Sequence, residues 1–135
     1  MISIILIFLA GIANAIMDTT QFHFEQSIFR KLNKQWWDGT VSWKNKYINR
    51  VVRCGKRKIL NGLFNYPVLL TDAFHLFKSL MIIFICLAVV FYTPISVKFI
   101  AFDHKICNIL IDFVILRSSF GLGFVMFYNW ILRKK

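Results

Sequence analysis

Residues 1–17 read MISIILIFLAGIANAIM and contain no charged side chain. A second apolar stretch, PVLLTDAFHLFKSLMIIFICLAVVFY, covers residues 67–92, and a third covers residues 106–132. A helix that crosses a bilayer needs about 20 mostly apolar residues, which the last two stretches exceed and the first nearly reaches. The sequence therefore predicts an all-α fold, a polytopic transmembrane helical bundle of about three spans in a single domain. The predicted spans are residues 1–20, 67–92 and 106–132.

The composition supports the same class of protein. Of the 135 residues, 58% are hydrophobic, and the mean hydropathy is +0.61. Soluble domains contain about 45–50% apolar residues. Fifteen Phe, four Trp and four Tyr add more apolar surface than a soluble core of this size can bury. Lipid is the simplest solvent for such a chain.

A signal peptide is the rival interpretation of the first stretch. Ala13, Asn14 and Ala15 resemble a signal-peptidase site after an apolar run. However, the stretch lacks a basic start, and its apolar character resumes at Ile16, so a retained helix is favoured. Gly11 and Ala15 are four residues apart, a small-residue spacing that predicts close approach of another helix.

The distribution of charge predicts the orientation. The formal net charge is +11, and ten of the 17 cations lie between Arg30 and Lys58, with Asp38 as the one acid there. The chain also ends in Arg-Lys-Lys. Cytoplasmic loops carry the excess of Lys and Arg, which indicates a basic cytoplasmic loop at residues 30–60. The prediction is an integral membrane protein with the N-terminus outside and the C-terminus in the cytoplasm.

The segment around this basic loop is typical of a membrane interface. Residues 18–33 mix aromatic and polar side chains, which predicts an amphipathic helical continuation of the first span. Tryptophan beside lysine favours the headgroup layer, so anionic lipid headgroups are the favoured partner. An acidic soluble partner is the alternative, and nucleic acid is disfavoured, because interface anchoring already explains the aromatic residues. The predicted lipid and interface residues are Trp36, Trp37, Trp43, Lys44, Lys46, Lys56, Arg57 and Lys58.

Ionisable side chains inside the spans are the candidates for chemistry, because each costs about 2.5–3.5 kcal/mol to insert. Asp72 and His75 are three residues apart and share a helix face. They could hold a divalent metal or a polar ligand if another helix supplied further groups. The alternative is that the groups satisfy one another structurally, with Asp112 and Arg117 as one ion pair. The candidate ligands are Asp18, His23, Glu25, Asp72 and His75, with Lys78, Asp112 and Arg117 as counter-charges.

Other features carry less chemistry. Cys54, Cys86 and Cys107 form no C-x-x-C pair, so small buried hydrophobic residues are the favoured interpretation. No nucleophile or phosphate-loop motif is present, which leaves open whether the protein is an enzyme. The small residues of 118–123 predict tight helix packing. A division of the last stretch near Arg117 would give four spans.

Three short motifs carry a resemblance to a known family. They are Phe22-His23, the run Ser42-Trp43-Lys44-Asn45-Lys46-Tyr47, and the run Thr71-Asp72-Ala73-Phe74-His75. In these motifs the chain resembles a family of small, uncharacterised membrane proteins from Bacteroidetes-type bacteria. The resemblance covers residues 10–80 and implies that the first helix is retained and that the membrane is the inner membrane of a bacterium. It implies no activity and no cofactor.

Three hypotheses of function follow from the sequence. The first is a site for a metal or a polar ligand, such as a lipid headgroup or small metabolite, formed by the Asp and His residues. The second is a non-catalytic subunit or assembly module that binds other membrane subunits, or further copies of itself, with a basic loop for lipid or a partner. The third is a small pore or holin-like protein, which is ranked last because the spans carry charges of both signs.

Overall fold

The computed structural model describes residues 1–47, 68–95 and 105–133, and three of its helices are long and apolar enough to cross a membrane. In these ranges the chain is helical and has no strand, which confirms an all-α bundle and a membrane protein. The third long helix continues past Arg117 without a break, against the four-span alternative. The helices are α1 (Ile2–Phe22), α2 (Lys34–Trp37), α3 (Gly39–Ser42), α4 (Ala73–Val90) and α5 (Lys105–Val125), which continues as a π-helix (Met126–Leu132). Short 3₁₀ turns cover Phe24–Gln26, Ile28–Lys31, Trp43–Lys46 and Val68–Leu70.

Helix α1 packs against both α4 and α5 and is the most buried of the three spans. The Ser3 hydroxyl donates a hydrogen bond to the Phe91 carbonyl at 2.9 Å, so α1 and α4 are antiparallel. The Ser119 hydroxyl donates to the Ile4 carbonyl at 2.9 Å, and α1 and α5 run parallel. The end of α1, the start of α4 and the end of the π-helix therefore lie together. We call this the polar end, and the end with Ser3 and Phe91 the far end.

Two glycines allow α1 and α5 to touch through their backbones. A Cβ atom on Gly11 would lie 2.2 Å from the Phe120 carbonyl oxygen, and one on Gly123 would lie 2.3 Å from that of Phe8. Ala15, one turn after Gly11, is fully buried. Helix association in a bilayer depends on such close packing, since lipid tails are as apolar as the side chains. The predictions of close approach at Gly11 and of tight packing in residues 118–123 are confirmed.

The predicted helical continuation over residues 18–33 is wrong. α1 ends at Phe22, and two 3₁₀ turns follow. The Ser27 backbone is extended, and its hydroxyl accepts from the Phe29 N–H at 3.1 Å and donates to the Phe24 carbonyl at 2.7 Å. Such local side-chain bonds satisfy the backbone in a turn and so compete with a continuous helix.

Residues 24–46, here called the covering segment, fold over the polar end. The Trp37 ring stacks on Phe29 at 4.6 Å between centroids and lies 6.2 Å from the Phe77 ring of α4. Trp37 therefore packs the covering segment against the bundle, whereas Trp43 is 38% exposed, as an interface residue would be. The Lys46 side chain, Lys56, Arg57, Lys58 and Pro67 lie outside the described residues.

The outer faces of α4 and α5 carry large exposed apolar side chains, which suits contact with lipid tails. Cys86 and Cys107 are free and exposed on these faces, so the prediction that they are buried is wrong. A thiol is a weakly polar group that an apolar solvent accepts at little cost. Cys54 lies outside the described residues.

A hydrogen-bonded carboxylate joins α4 to α5 at the far end. Asp112 of α5 is buried and accepts from the Tyr92 hydroxyl at 2.5 Å and from the Ile95 N–H at 3.0 Å. The hydrogen bond to this carboxylate, with burial, raises the pKa of the Tyr92 phenol above its usual value. Asp112 therefore holds the chain that leaves α4 against α5.

We expect Tyr92→Phe to lower the free energy of unfolding by about 1–2 kcal/mol, because a hydrogen bond to a charged group is lost. Reversible unfolding in mixed detergent micelles measures the change. Tyr128→Phe is the control, since the Tyr128 ring stacks on Phe124 and its hydroxyl makes no hydrogen bond within the described ranges. Equal stability of Tyr92→Phe and the unaltered protein would show that the bond to Asp112 contributes nothing.

Candidate functional site

Asp72 begins α4 and is the N-cap residue of the helix. Its backbone is extended, with φ −163° and ψ 166°, and its Oδ1 accepts from the His75 N–H at 2.8 Å. Aspartate is among the best N-caps because its carboxylate satisfies an amide that has no partner inside the helix. This local requirement fixes the carboxylate beside the first turn of α4, where His75 lies.

The His75 ring lies against the same carboxylate. Its Nδ1 is 2.9 Å from Oδ1 and 2.8 Å from Oδ2 of Asp72, and the Thr71 hydroxyl donates to Oδ2 at 3.1 Å. An ionised carboxylate only accepts hydrogen bonds, so Nδ1 carries the proton in this contact, and whenever the ring is neutral its Nε2 is an acceptor. The Asp72 side chain is 1% exposed and that of His75 is 27% exposed. The pair is thus anchored inside the protein and presents the imidazole outward.

The covering segment positions the start of α4 through Asn45. The Asn45 side-chain amide donates to the Thr71 carbonyl at 2.9 Å and to the Gln35 carbonyl at 2.5 Å. The Asn45 side chain therefore links Thr71, the residue before Asp72, to the covering segment, 26 residues earlier in the chain. The sequence does not indicate this role, because Asn45 lies in a basic, aromatic run that is typical of a membrane interface.

Thr19 supplies an unused hydroxyl at the polar end. Its side chain is fully buried, and its Oγ1 has no hydrogen-bond partner in the described part of the chain. Thr19 is 16 residues from Ser3, and His75 is 16 residues from Phe91, to which Ser3 is bonded. At 1.5 Å per residue both lie about 24 Å from that bond, so Thr19 and His75 are at the same level of the bundle.

A cavity of about 270 Å³ lies between the end of α1 and α3. Asp38 is the N-cap of α3, and its Oδ1 accepts from the Thr40 N–H at 2.9 Å and the Thr40 hydroxyl at 2.6 Å. Gly39 allows the close approach of the two helices, since a Cβ there would lie 3.0 Å from the Gln21 Cα. The cavity is lined by Gln21, Phe22, His23, Phe24, Glu25, Gln26, Asp38 and Thr40.

The other candidate ligands have separate surroundings. The His23 ring packs edge-on against the Tyr128 ring at 5.7 Å, and Asp18 is close enough to His23 to interact electrostatically. Glu25 forms an ion pair with Lys34. Within residues 1–47, 68–95 and 105–133, no three His, Cys, Asp or Glu side chains come together as metal ligands. The geometry joins Asp72 to His75 and leaves Glu25 with a lysine.

The three predicted counter-charges lie at different levels. Lys78 is exposed on α4, one turn from His75. Arg117 is exposed and precedes Ser119, which bonds to Ile4, so Arg117 lies at the far end. The described ion pairs do not include Asp112 with Arg117, because five residues turn a helix by about 140°. Of the three, only Lys78 is near the Asp72–His75 pair.

Comparison with known proteins gives no relative for this chain: no family model matches it, and neither do curated proteins or solved structures. The resemblance carried by the three sequence motifs stays a prediction.

Proposed function

We propose that this membrane protein binds a lipid headgroup that carries a phosphate and a hydroxyl, as phosphatidylglycerol does. In this proposal Nε2 of His75 accepts a hydrogen bond from the headgroup hydroxyl, and Lys78 pairs with the phosphate. The polar end faces the cytoplasm in the proposed orientation. The observation that best supports this proposal is the contact of His75 Nδ1 with both carboxylate oxygens of Asp72, at 2.8 and 2.9 Å.

This contact supports a binding role because it fixes the ring. A free histidine samples several rotamers and both tautomers, whereas the buried Asp72 carboxylate holds one orientation and one tautomer. Asp72 is itself held as the N-cap of α4. A ligand that meets Nε2 therefore does not have to order the ring, and less conformational entropy is lost on binding.

The depth of the pair suits a lipid headgroup. α1 has 21 residues and is about 31 Å long, close to the roughly 30 Å of the hydrocarbon core. Its last residue, Phe22, and the start of α4 then lie at the interface. His75 is three residues into α4, about 4.5 Å below Asp72 along the axis, where the headgroup meets the hydrocarbon.

Lys78 supplies a positive charge at the right place. It lies three residues after His75, on the same face of α4. Helical side chains lean toward the N-terminus of their helix, which for α4 is the polar end. The Lys78 side chain can therefore extend along the helix and bring its ammonium group to the level of His75. Arg30, Lys31 and Lys44 of the covering segment are exposed and add to the attraction for anionic lipid.

The proposal predicts a headgroup preference that depends on His75 and Lys78. The protein is placed in nanodiscs with equal parts of phosphatidylglycerol and phosphatidylcholine, and the lipids kept after transfer to detergent are measured by native mass spectrometry. We expect a preference for phosphatidylglycerol that falls about fivefold in either His75→Asn or Lys78→Gln, the equivalent of one hydrogen bond or ion pair.

His75→Asn removes Nε2, while its amide can still donate to Asp72. Lys105→Gln is the matched control, because Lys105 is also an exposed cation but begins α5, at the opposite end of the bundle from His75. Equal retention of the two lipids, or a preference that survives both substitutions, contradicts the proposal.

A further inference from the structure

The cavity between α1 and α3 has a charge opposite to that of the chain. The formal net charge of the protein is +11. The eight residues that line the cavity nevertheless include two carboxylates, Glu25 and Asp38, and neither lysine nor arginine. Neither His75 nor Asp72 lines the cavity, so the cavity is separate from the proposed site for the phosphatidylglycerol headgroup. Its chemistry favours a positively charged group.

Asp38 offers the cavity an acceptor that the protein itself does not use. Asp38 is 7% exposed, and both hydrogen bonds of its carboxylate, from the Thr40 N–H and hydroxyl, go to Oδ1. Oδ2 receives no hydrogen bond from any described residue. Among the described residues, Oδ2 is not one of the buried polar atoms that lack a partner, so it is reached from the surface that Asp38 keeps and can accept from a ligand there. The little surface that Asp38 exposes borders the cavity, so a partner would have to come from there.

Lys34 shows how this region holds an ammonium group. Its Nζ pairs with Glu25 and lies over the Phe24 ring, 5.8 Å from the centroid. The hydrogen bond and charge of Glu25, together with the charge of Asp38, raise the pKa of Lys34 above its usual value. Glu25 and Phe24 both line the cavity, whereas Lys34 does not. Lys34 therefore neutralises Glu25 from the edge of the cavity, whereas the described ion pairs do not include Asp38.

We propose that this cavity binds a primary ammonium group, which donates hydrogen bonds to Asp38 Oδ2 and to the Gln21 side chain. The volume of about 270 Å³ equals that of about nine water molecules, enough for a small headgroup. The cavity adjoins Phe22, the last residue of a spanning helix, whose side chain is exposed. The ammonium can therefore come from an ethanolamine lipid at the interface or from a free amine in solution.

The test uses the full-length protein in phosphatidylcholine nanodiscs, with two probes: short-chain phosphatidylethanolamine and free ethanolamine. Binding is followed by saturation-transfer NMR. Asp38→Asn is the informative variant, because asparagine is also a good N-cap and keeps the acceptor for Thr40, while the negative charge is lost. We expect it to weaken ammonium binding by about tenfold or more, as for a lost hydrogen bond to a charged group.

Asn33→Asp is the matched control. Asn33 is the exposed N-cap of α2 and does not line the cavity, so an added carboxylate there should leave binding unchanged. Binding of both probes, or of the lipid alone, supports the proposal, and the comparison identifies the source of the ammonium. Equal affinity for phosphatidylglycerol in this assay, no binding of either probe, or undiminished binding in Asp38→Asn would overturn it. His75→Asn should not affect ammonium binding. A failure of the proposed phosphatidylglycerol site can therefore be distinguished from a failure of the ammonium site.

Discussion

Replacing Gly11 or Gly123 by leucine is expected to prevent the three spans from forming a stable bundle. A Cβ atom alone would lie 2.2 Å from a backbone oxygen at Gly11 and 2.3 Å from one at Gly123, and backbone cannot rotate away as a side chain can. The helices would have to separate, which removes the packing on which helix association in lipid depends. Overpacking of an interior costs about 1–3 kcal/mol, and a clash between backbones belongs at or above the upper limit.

Gly121→Ala is the control for the contact between α1 and α5. It lies in the same helix, but the nearest atom to its added Cβ would be a guanidinium nitrogen of Arg117 at 3.4 Å, an ordinary contact with a flexible side chain. Yield of monodisperse protein and unfolding in mixed micelles measure both changes. A Gly11→Leu protein as stable as Gly121→Ala would mean that α1 and α5 are not in backbone contact.

Asp72→Ala is expected to have the second largest effect, a loss of about 3 kcal/mol in the free energy of unfolding. The substitution removes the N-cap of α4 and leaves the His75 N–H, the His75 ring and the Thr71 hydroxyl without the carboxylate that now receives them. A lost N-cap costs about 0.5–2 kcal/mol, and the unpaired polar groups add to it.

Asp72→Asn separates the structural role of this residue from its role in binding. Asparagine keeps an oxygen for the His75 N–H, so the loss of stability should be about 1 kcal/mol. Its amide cannot hold the ring as the carboxylate does, so the preference for phosphatidylglycerol should fall nonetheless. Asn33→Ala is the control for an exposed N-cap. If Asp72→Ala cost no more than Asn33→Ala, the carboxylate would not be an anchor for α4.

Much of the bundle could be predicted because its signals are local. The three spans follow from the lengths of the apolar stretches, and the spacing of Asp72 and His75 places them on one helix face. The close approach at Gly11 follows from the small residue one turn later. Each of these inferences needs only the geometry of a single helix.

The rest depends on contacts between distant parts of the chain. The sequence predicts Arg117 as a counter-charge for the Asp and His ligands, whereas the bond of Ser119 to Ile4 sets the level of α5 against α1 and places Arg117 at the far end. The contact of Asn45 with Thr71 spans 26 residues. No periodicity indicates such pairs, because they join irregular segments through side-chain to backbone hydrogen bonds.

The most direct test of the account is nitrogen NMR of the histidine rings in the ¹⁵N-labelled protein, with His75 assigned through His75→Asn. The spectrum is recorded at about pH 8.5, where an ordinary histidine is neutral. We expect a His75 ring with its proton on Nδ1, whose Nε2 signal moves when phosphatidylglycerol replaces phosphatidylcholine. We also expect this tautomer to be lost in Asp72→Asn. A proton on Nε2, or an Nε2 signal that does not respond to the headgroup, would contradict it.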